Sequence, residues 1–548
     1  MTRISRCLPF SLLVTLAAAR AQDVLFTNAK VWTGDADAPR ANAVLVQGDR
    51  IRWVGDMVAA RAAASPGVTT IDCGGASLLP GFTDAHVHFL GGGDELLAPD
   101  LRSARSEEEF AQRLGEAAKR VAKGTWLASG TWDHENWPGG ALPTRALLDR
   151  YVPEHPVFVS RLDGHMAVAN SLAIRLAGLD AATPEVPGGT IVRDDKGEPA
   201  GVFKDAAMVL VSARIPAWNA EQRLQRARAA MQHAASLGIT SVHDMLDSWA
   251  PLQTYQDLRT AGSLTCRITV YTPIAQIDRW AAAHVRRGFG DAWLKVNGGK
   301  GFADGSLGST TAWFDAPYSD APGTSGLAMP QLTSGDLAEA LAQCAHLGLQ
   351  PAIHAIGDRA NGAVLDLFAA TAGLAAQRPR IEHAQHLRPA DVARFAELQV
   401  IASMQPYHCA DDGRWAEKRI GADRCRTTYA FRSLLDAKAT LAFGSDWPVA
   451  PLSPWLGLHA AVTRATIDGK QPGGFVPAQK ISLDEALVAY TRGGAFASHD
   501  EARLGMLRAG LLADLIVLDR DLFATDAVDA VQVRLTMVDG RIVHRRAW

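Results

Sequence analysis

The sequence predicts an α/β fold, a (β/α)8 TIM-like barrel with a small β-sandwich domain formed by the N- and C-terminal segments. Across the middle of the chain, short apolar strand-like runs alternate with stretches of 3.6-residue apolar period. Both ends contain only short strands and turns. Neither end carries enough apolar surface to fold alone, so we expect them to pair. A doubly wound open sheet is the alternative for the middle.

The first residues have the pattern of a secretory signal peptide. Arg3 and Arg6 precede an apolar stretch from Leu8 to Ala19, and a small-x-small tripeptide follows at residues 19–21. The apolar run is shorter than the roughly 20 residues that a bilayer span requires. We therefore predict a signal peptide over residues 1–22, no membrane span in the mature chain, and a periplasmic or secreted protein.

Strand-like runs at the two ends predict a composite sandwich domain of residues 23–79 and 485–548. The expected strands are Val24–Phe26, Ala29–Trp32, Ala43–Val46, Ile51–Val54, Ala513–Leu518 and Thr536–Val543, the last turning at Asp539-Gly540.

The barrel is predicted for residues 80–484. The expected helices are Glu107–Val121, Glu221–Leu237, Asp336–Leu347, Asn361–Ala372 and Pro389–Leu398. The strand-like runs between or beside them are Ser241–His243, Trp293–Val296, Pro351–His354, Arg380–His383, Ile401–Met404 and Leu441–Asp446.

Several of these runs finish in a residue that can bind a metal ion. The most informative is the segment that ends in His86-Val87-His88, because residues i and i+2 of a strand point to one face. Two imidazoles on one face can share a divalent ion. Since the carboxyl ends of barrel strands meet at one mouth, the other strand-end residues converge there too; they are His243, His354, His383 and Asp446.

Composition limits the partners. The formal charge of -3, with 48% hydrophobic and 21% charged residues, indicates a soluble globular protein and argues against nucleic acid or anionic membrane as a partner. We expect a small-molecule substrate in a pocket, and a homodimer is left open. The cysteines of the mature chain are widely spaced, so we expect structural thiols; a disulfide between Cys409 and Cys425 is permitted but not required.

Five stretches together resemble the amidohydrolase superfamily, and within it amidohydrolase family 3, the YtcJ-like metal-dependent hydrolases. They occur in the family's order along nearly the whole mature chain. They are Pro80–His88 (PGFTDAHVH), Lys300–Ser309 (KGFADGSLGS), Ile353–Asn361 (IHAIGDRAN), Arg380–Gln385 (RIEHAQ) and Phe443–Pro448 (FGSDWP).

The resemblance implies a centre of two divalent metal ions, usually zinc. His86, His88 and Asp446 would hold one ion, and His354 and His383 the other. Lys300 would bridge them as N6-carboxylysine, because an ammonium group has no lone pair for a metal. Without that modification a single-metal enzyme is expected. Asp446 would also act as the general base for a metal-activated hydroxide.

Substrate contacts are predicted on loops near the metals. The resemblance places Trp132-Asp133-His134 and Asp163-Gly164-His165 there, with Asn170 nearby. His165 is the candidate for a substrate carbonyl contact or an accessory catalytic group. Gln405 and Tyr407 follow another strand and are candidates for lining the pocket. His243 matches no ligand of the family pattern, so we expect a structural or supporting role for it.

Two residues depart from the family pattern. Thr310 stands where the family commonly has an arginine, which puts any contact of that arginine with an anionic substrate in doubt. Gly301 replaces a larger apolar residue beside Lys300, so we expect more room or more backbone freedom there.

The sequence therefore predicts an exported metal-dependent amidohydrolase that cleaves a carbon–nitrogen bond, other than a peptide bond, in an amide, N-acyl or N-formyl group of a small molecule. An esterase, lactonase or deaminase on the same centre is the alternative, since hydroxide attack does not select the leaving group. A non-catalytic binding protein with a structural metal is a further rival. Asp446 argues against it, because a structural site does not need an aspartate poised to move protons.

Overall fold

The computed structural model describes residues 23–547 and has eight parallel strands at its centre. In chain order they are β1 (Phe82–Val87), β2 (Ile239–Met245), β3 (Arg267–Pro273), β4 (Leu294–Phe302), β5 (Gln350–Ala355), β6 (Arg380–His383), β7 (Ile401–Met404) and β8 (Thr440–Phe443). Each strand pairs with its neighbours in the chain. The predicted (β/α)8 barrel is confirmed.

The barrel closes where the chain beyond β8 meets the end of β1. The N–H group of Asp446 donates to the His86 carbonyl at 2.7 Å, and the N–H group of His88 donates to the Trp447 carbonyl at 2.8 Å. Barrel closure therefore uses the backbone of three residues that the sequence marked as metal ligands.

Helices surround the barrel and alternate with its strands. The expected helices are found at Glu107–Ala118, Ala220–Leu237, Asp336–Leu347, Asp358–Ala370 and Val392–Glu397. Further helices lie at Met57–Ala63, Phe89–Leu97, Arg145–Tyr151, Ser171–Ala177, Val209–Ser212, Ala250–Thr260, Asp278–Ala282, Pro330–Ser334, Pro406–Asp412, Ala416–Ile420, Ala422–Cys425, Phe431–Asp436, Pro454–Thr463, Leu483–Val488 and Gly494–Ala497.

Local sequence sets the ends of the longest of these helices, Ala220–Leu237. Asn219 and Gln222 form a reciprocal capping box at its start, and Gly238 ends it in a left-handed conformation. Its small residues Ala227 and Ala230 are fully buried against the barrel. The helix therefore packs close to the strands that it connects.

Strand β3 is a barrel strand that the sequence pattern did not reveal. It carries no residue of the motif set, and it ends in Pro273. Its inward residue Tyr271 is fully buried and hydrogen-bonds Gln350 at 2.5 Å. Without a ligand at its end, only its β-branched and aromatic content marked it as a strand.

The chain ends form two packed sheets, as predicted. One sheet has the order Arg50–Gly55, Ala43–Gln47, Val24–Thr27, Thr69–Asp72. The other has the order Arg541–Arg545, Val533–Val538, Leu515–Leu518, Ser77–Pro80, Lys30–Trp32, Arg40–Ala41. Residues of both sheets, among them Phe26, Leu78 and Val517, share one apolar core. This is the small β-sandwich, whose exact domain bounds stay a prediction.

A four-stranded antiparallel sheet lies between β1 and β2 in the chain and was not expected from the sequence. Its strands are Gly189–Arg193, Pro199–Asp205, Met166–Ala169 and Phe158–Ser160, in that spatial order. We call it the inserted sheet. It has apolar cores of its own, which contain Val168 and Phe203.

Three further predictions concern the signal peptide, the cysteines and the absence of a membrane span. The signal peptide lies outside the described residues. The five cysteines within residues 23–547 are buried and unpaired, so the permitted bond between Cys409 and Cys425 is absent and the expected structural thiols are present. Among the described residues, no helix combines the length and the apolar character of a bilayer span.

A buried ion pair joins the barrel to the sandwich. Arg267 of β3 donates to both carboxylate oxygens of Asp514, at 2.7 and 2.8 Å, and to Asp539 at 2.9 Å. The side chains of Arg267 and Asp514 are only 3% and 4% exposed. An unpaired charge in such a place is costly, so each partner requires the other.

We expect Arg267→Ala to lower the free energy of unfolding by about 3–5 kcal/mol, because it leaves Asp514 buried without its partner. The control is Arg259→Ala, which removes a pair with Asp291 whose side chains are 42% and 41% exposed and which should cost less than about 1 kcal/mol. Urea titration followed by tryptophan fluorescence measures both changes. Equal losses in the two variants would contradict the prediction.

Candidate metal centre

The mouth of the barrel brings together the ligand residues predicted from the sequence. His86 is the last residue but one of β1, Lys300 lies in β4, His354 lies in β5, and His383 lies at the end of β6. Asp446 follows β8, and His88 follows β1. The rings of His86 and His383 have centroids 5.0 Å apart, and those of His354 and His383 are 4.5 Å apart.

His86, His88 and Asp446 present a convergent set of donor atoms. The Asp446 Oδ1 lies 3.3 Å from His86 Nε2 and 3.4 Å from His88 Nε2. One ligand atom from each residue falls within 4.8 Å of the others. Two imidazoles and a carboxylate suit a first-row divalent ion such as zinc, so this donor set fits the metal that the sequence predicted.

His86 is oriented by a chain of buried charges. Its Nδ1 donates to Glu382 Oε2 at 2.6 Å, and Arg380 donates to both oxygens of the same carboxylate at 2.8 and 3.0 Å. Burial raises the pKa of Glu382, but Arg380 and His86 lower it by more, so it lies well below its usual range. The ionised Glu382 fixes the His86 tautomer and leaves Nε2 free for a ligand.

His354 and His383 are also fixed by hydrogen bonds to protein acceptors. His383 Nδ1 donates to Gln405 Oε1 at 2.8 Å, and His354 Nε2 donates to the Gly305 carbonyl at 2.9 Å. Burial lowers the pKa of His354 and of His383 well below the ordinary value. Both imidazoles are therefore neutral, and each keeps one ring nitrogen with a lone pair for a metal.

Lys300 lies among these ligands. Its Nζ is 3.4 Å from His86 Nε2, and its side chain is almost completely buried. Burial lowers the pKa of Lys300 to about 8, although Glu382 and Asp446 oppose the shift. Roughly a tenth of this amine is therefore neutral at pH 7, far more than for an exposed lysine. Lys300 does not form an ion pair with Asp304. The Asp304 carboxylate instead accepts the backbone N–H groups of Trp313, Ile356 and Gly357.

Two of the ligand residues sit on strained backbone. His383 has φ 73° and Asp446 has φ 60°, in the left-handed region that side-chain-bearing residues rarely adopt. Such conformations cost about 1–3 kcal/mol and are held only where the surroundings enforce them. Here they aim both side chains into the mouth.

Asp446 is ionised. Burial raises the pKa of this carboxyl group, but the neighbouring His86 and His88 lower it by more, to well below the usual range. The carboxylate can therefore both bind a cation and accept a proton.

The inserted sheet contributes His165 to the same cavity. His165 Nδ1 donates to Asp205 Oδ1 at 2.9 Å, and its ring lies 6.4 Å from that of His354. Burial lowers the pKa of His165, but Asp205 and Asp163 raise it by more, so the net shift is upward. His165 lines the cavity, and its Nε2 atom can donate there when the ring is protonated and accepts when the ring is neutral. Sequence reasoning named His165 but missed Asp205, which follows 40 residues later.

Of the other predicted substrate contacts, Asp133 lines the cavity and accepts from Arg161 at 3.0 Å. Trp132 instead lies in an apolar core against Trp137, and its indole N–H donates to the Val159 carbonyl. The resemblance placed Trp132 near the metals together with Asp133 and His134, but adjacent side chains on extended backbone point to opposite sides, and that of Trp132 lies in the core.

Gln405, Tyr407 and Asn170 are not among the residues that line the cavity. Gln405 is buried behind His383, where it orients that ring. Asn170 accepts the N–H groups of Val157 and Ala173 and so fixes the local backbone. His243 is buried beneath the mouth, and its Nδ1 accepts from Arg380 at 2.9 Å, which agrees with the supporting role expected for it.

Thr310 and Gly301, the two residues that depart from the family pattern, each contact a neighbouring side chain. Thr310 accepts a hydrogen bond from Arg419, which is not among the cavity-lining residues. Gly301 does not provide the extra room that was expected, because a Cβ atom there would come within 2.8 Å of Ile274. Glycine is required at this position by the packing of Ile274.

The cavity above these ligands encloses about 160 Å³. Its apolar wall is formed by Leu162, Phe302, Leu307, Ile356, Trp415 and Val449. A space of this size accommodates a group as large as a benzene ring. His408, which the sequence analysis did not single out, also lines it.

Comparison with known proteins agrees with this geometry. The model of a family described as the amidohydrolase family matches residues 69–544. Three relatives are similar over nearly their full length. Protein LONG AFTER FAR-RED 3 of Arabidopsis thaliana is 35% identical, covering 97% of this chain and 93% of that protein. The putative amidohydrolase YtcJ of Bacillus subtilis is 29% identical, covering 94% and 98%. The N-substituted formamide deformylase of Arthrobacter pascens is 29% identical, covering 96% and 99%.

A solved structure is also similar. An uncharacterized metal-dependent hydrolase from Pyrococcus horikoshii superposes with a TM-score of 0.77 at 29% identity, covering 92% of this chain and 99% of that one. This coverage and TM-score support the architecture described above.

We expect Gln405→Met to weaken divalent-ion affinity by about 10–100-fold, because it removes the acceptor that holds His383 in its ligating tautomer. Competition with a chromophoric chelator measures the affinity. The control is Gln343→Met, on the exposed face of the helix Asp336–Leu347, which should leave affinity unchanged. If Gln405→Met changes only KM and leaves the divalent-ion affinity unaltered, Gln405 is a substrate contact, as the sequence predicted.

Proposed function

The chain belongs to the amidohydrolase family of metal-dependent hydrolases, and on that premise we propose that it is an exported enzyme that hydrolyses a carbon–nitrogen bond of the amide, N-acyl or N-formyl type in a small neutral molecule. The observation that carries the proposal is the convergence of His86, His88, His354, His383, Lys300 and Asp446 at one barrel mouth. Export rests on the signal-peptide pattern of residues 1–22.

The proposed centre holds two divalent ions, with zinc as the preferred metal. His86, His88 and Asp446 would hold one, His354 and His383 the other, and Lys300 would bridge them. Bound ions supply Lewis-acid polarisation of a carbonyl oxygen and make a water molecule more acidic. The neutral imidazoles of His354 and His383 and the ionised carboxylate of Asp446 are in the protonation states that this role requires.

Bridging by Lys300 requires carboxylation of its amine. The neutral amine attacks carbon dioxide, a nitrogen–carbon bond forms, and one proton leaves to solvent, which gives an anionic carbamate with two oxygen ligands. The position of Nζ beside His86 supports this assignment, because an ammonium group at 3.4 Å from a ligand nitrogen would compete with the metal.

Asp446 would move the proton in the reaction. Its carboxylate lies at the edge of the donor set, against both His86 and His88. It accepts a proton from the attacking water as the new carbon–oxygen bond forms. It then gives this proton to the nitrogen as the carbon–nitrogen bond breaks, so that the amine leaves neutral.

His165 would bind the substrate on the side opposite the barrel floor. With Nδ1 donating to Asp205, its Nε2 can donate to a carbonyl oxygen in the protonated ring, because in the neutral ring this atom carries a lone pair. The upward shift in its pKa favours the protonated ring, which strengthens such a bond.

The lining of the cavity favours a neutral substrate. Among the described residues that line it, both arginines are already paired, Arg161 with Asp133 and Asp163, and Arg414 with Asp411. An anionic group on the substrate would therefore lack a free guanidinium partner. The apolar wall and the 160 Å³ volume suit a formyl or short acyl group on an aryl or alkyl amine.

A substrate panel tests this function. We expect hydrolysis of formanilide, and at least about tenfold lower kcat/KM for N-formylphenylalanine, whose carboxylate finds no partner. Phenyl acetate, a lactone and an aminopyrimidine represent the esterase, lactonase and deaminase alternatives. Hydrolysis confined to the ester and lactone, or release of ammonia from the aminopyrimidine without amide cleavage, would refute the proposal. The absence of any turnover, with metal bound, would favour a binding protein.

We expect Lys300→Ala to lower kcat/KM by a factor on the order of 10³, since loss of a bridging ligand should exceed the 10–100-fold effect of an outer partner. Acetate should restore part of the activity by supplying two carboxylate oxygens. Metal analysis accompanies the kinetics, with the exposed Lys30→Ala as the control. Full metal occupancy together with unchanged hydrolysis in Lys300→Ala would exclude the bridging role.

A further inference from the structure

Strand β7 ends close to the proposed centre, and the family pattern assigns no ligand to it. His408 lies in the helix Pro406–Asp412 directly after this strand, and its backbone N–H donates to the Gln405 carbonyl at 3.1 Å. Its ring is nearly parallel to the His383 ring, with an interplanar angle of 10° and centroids 6.3 Å apart. The side chain is thus directed at the ligands held by β6 and β8.

One ring nitrogen of His408 lacks a partner within the described part of the chain. The Nε2 atom is buried and makes no hydrogen bond there. Leaving a buried polar atom unsatisfied costs about 1–3 kcal/mol, so native structures rarely keep one without a ligand. By contrast, His86, His354 and His383 each have a protein acceptor for one ring nitrogen.

The neighbours of His408 form a second set of convergent donor atoms. One ligand atom each from His383, His408 and Asp446 lies within 4.8 Å of the others. Ligands held about 2.0–2.1 Å from a tetrahedral zinc ion are roughly 3.3 Å apart. Side-chain adjustments on the order of 1 Å would therefore bring all three atoms onto one ion.

We propose that His408 is a ligand of the divalent ion that His383 binds, with Asp446 as the shared carboxylate. The inference rests on the proposed function, because it concerns the same centre. It assigns β7 a part in metal binding, and it gives the ion next to β6 a third imidazole besides His354 and His383. Two or three imidazoles with one carboxylate suit zinc, manganese or iron(II).

A cysteine at position 408 provides a direct test. The full-length His408→Cys protein is stripped of metal, reloaded with cobalt(II), and examined by absorption spectroscopy. A thiolate that binds cobalt produces a near-ultraviolet charge-transfer band, and a thiolate that merely lies nearby does not. We expect this band in His408→Cys and not in wild type or in Ala410→Cys, where a buried neighbouring position carries the thiol. Absence of the band in His408→Cys would overturn the proposal.

The zinc affinity of His408→Asn is the second measurement. We expect one ion per chain to bind at least about 10–100-fold more weakly than in wild type, with the exposed His346→Asn unchanged. The metal-free forms of wild type and His408→Asn should unfold at the same temperature, which separates ligand loss from misfolding. Unchanged zinc affinity and an altered KM would instead make His408 a substrate contact. If the wild type binds no divalent ion, the proposed function itself is overturned. If the wild type and His408→Asn bind zinc with equal affinity, only this inference is overturned.

Discussion

The metal centre depends on the buried ion pair of Arg380 and Glu382. Besides binding Glu382, the Arg380 guanidinium donates to the Ala85 carbonyl, Ser403 and Tyr271. It thereby ties together β1, β3, β6 and β7 inside the barrel. Removing two charges from water costs several kcal/mol per ion unless further hydrogen bonds compensate. Here that cost is offset by a full set of partners, and the result is a rigid anionic acceptor behind His86.

This arrangement also separates what the sequence could predict from what it could not. Strand-end histidines could be recognised because strand period and barrel geometry send them to one mouth whatever the detailed packing. The hydrogen-bond partner of Glu382 could not be predicted. His383 is adjacent in sequence, yet Glu382 binds His86, 296 residues away. Alternation along the strand turns adjacent side chains to opposite sides, and only the register of the folded barrel selects the partner.

The inserted sheet is a second feature that could not be predicted from the sequence. Its strands are short, and their apolar residues alternate too briefly to distinguish them from the loops expected at a barrel mouth. Its role follows from the pairing of Met166 with Lys204, which brings the preceding His165 beside Asp205. The N–H group of Asp205 also donates to the His165 carbonyl at 2.9 Å. A histidine held in this way by a sheet is placed more firmly than one on a free loop, which suits a residue that must meet a substrate carbonyl.

The composite sandwich has a consequence for the order in which the chain can fold. Strand Ser77–Pro80 pairs with Leu515–Leu518, so that Leu79 lies opposite Ile516. During synthesis, the three strands that residues 23–80 contribute to this six-stranded sheet lack their three C-terminal partners until the last strands leave the ribosome. Pairing over such a sequence distance is slow, and it leaves an apolar strand edge uncovered in the meantime. The barrel can assemble beforehand, but the nascent chain completes its fold only after translation ends.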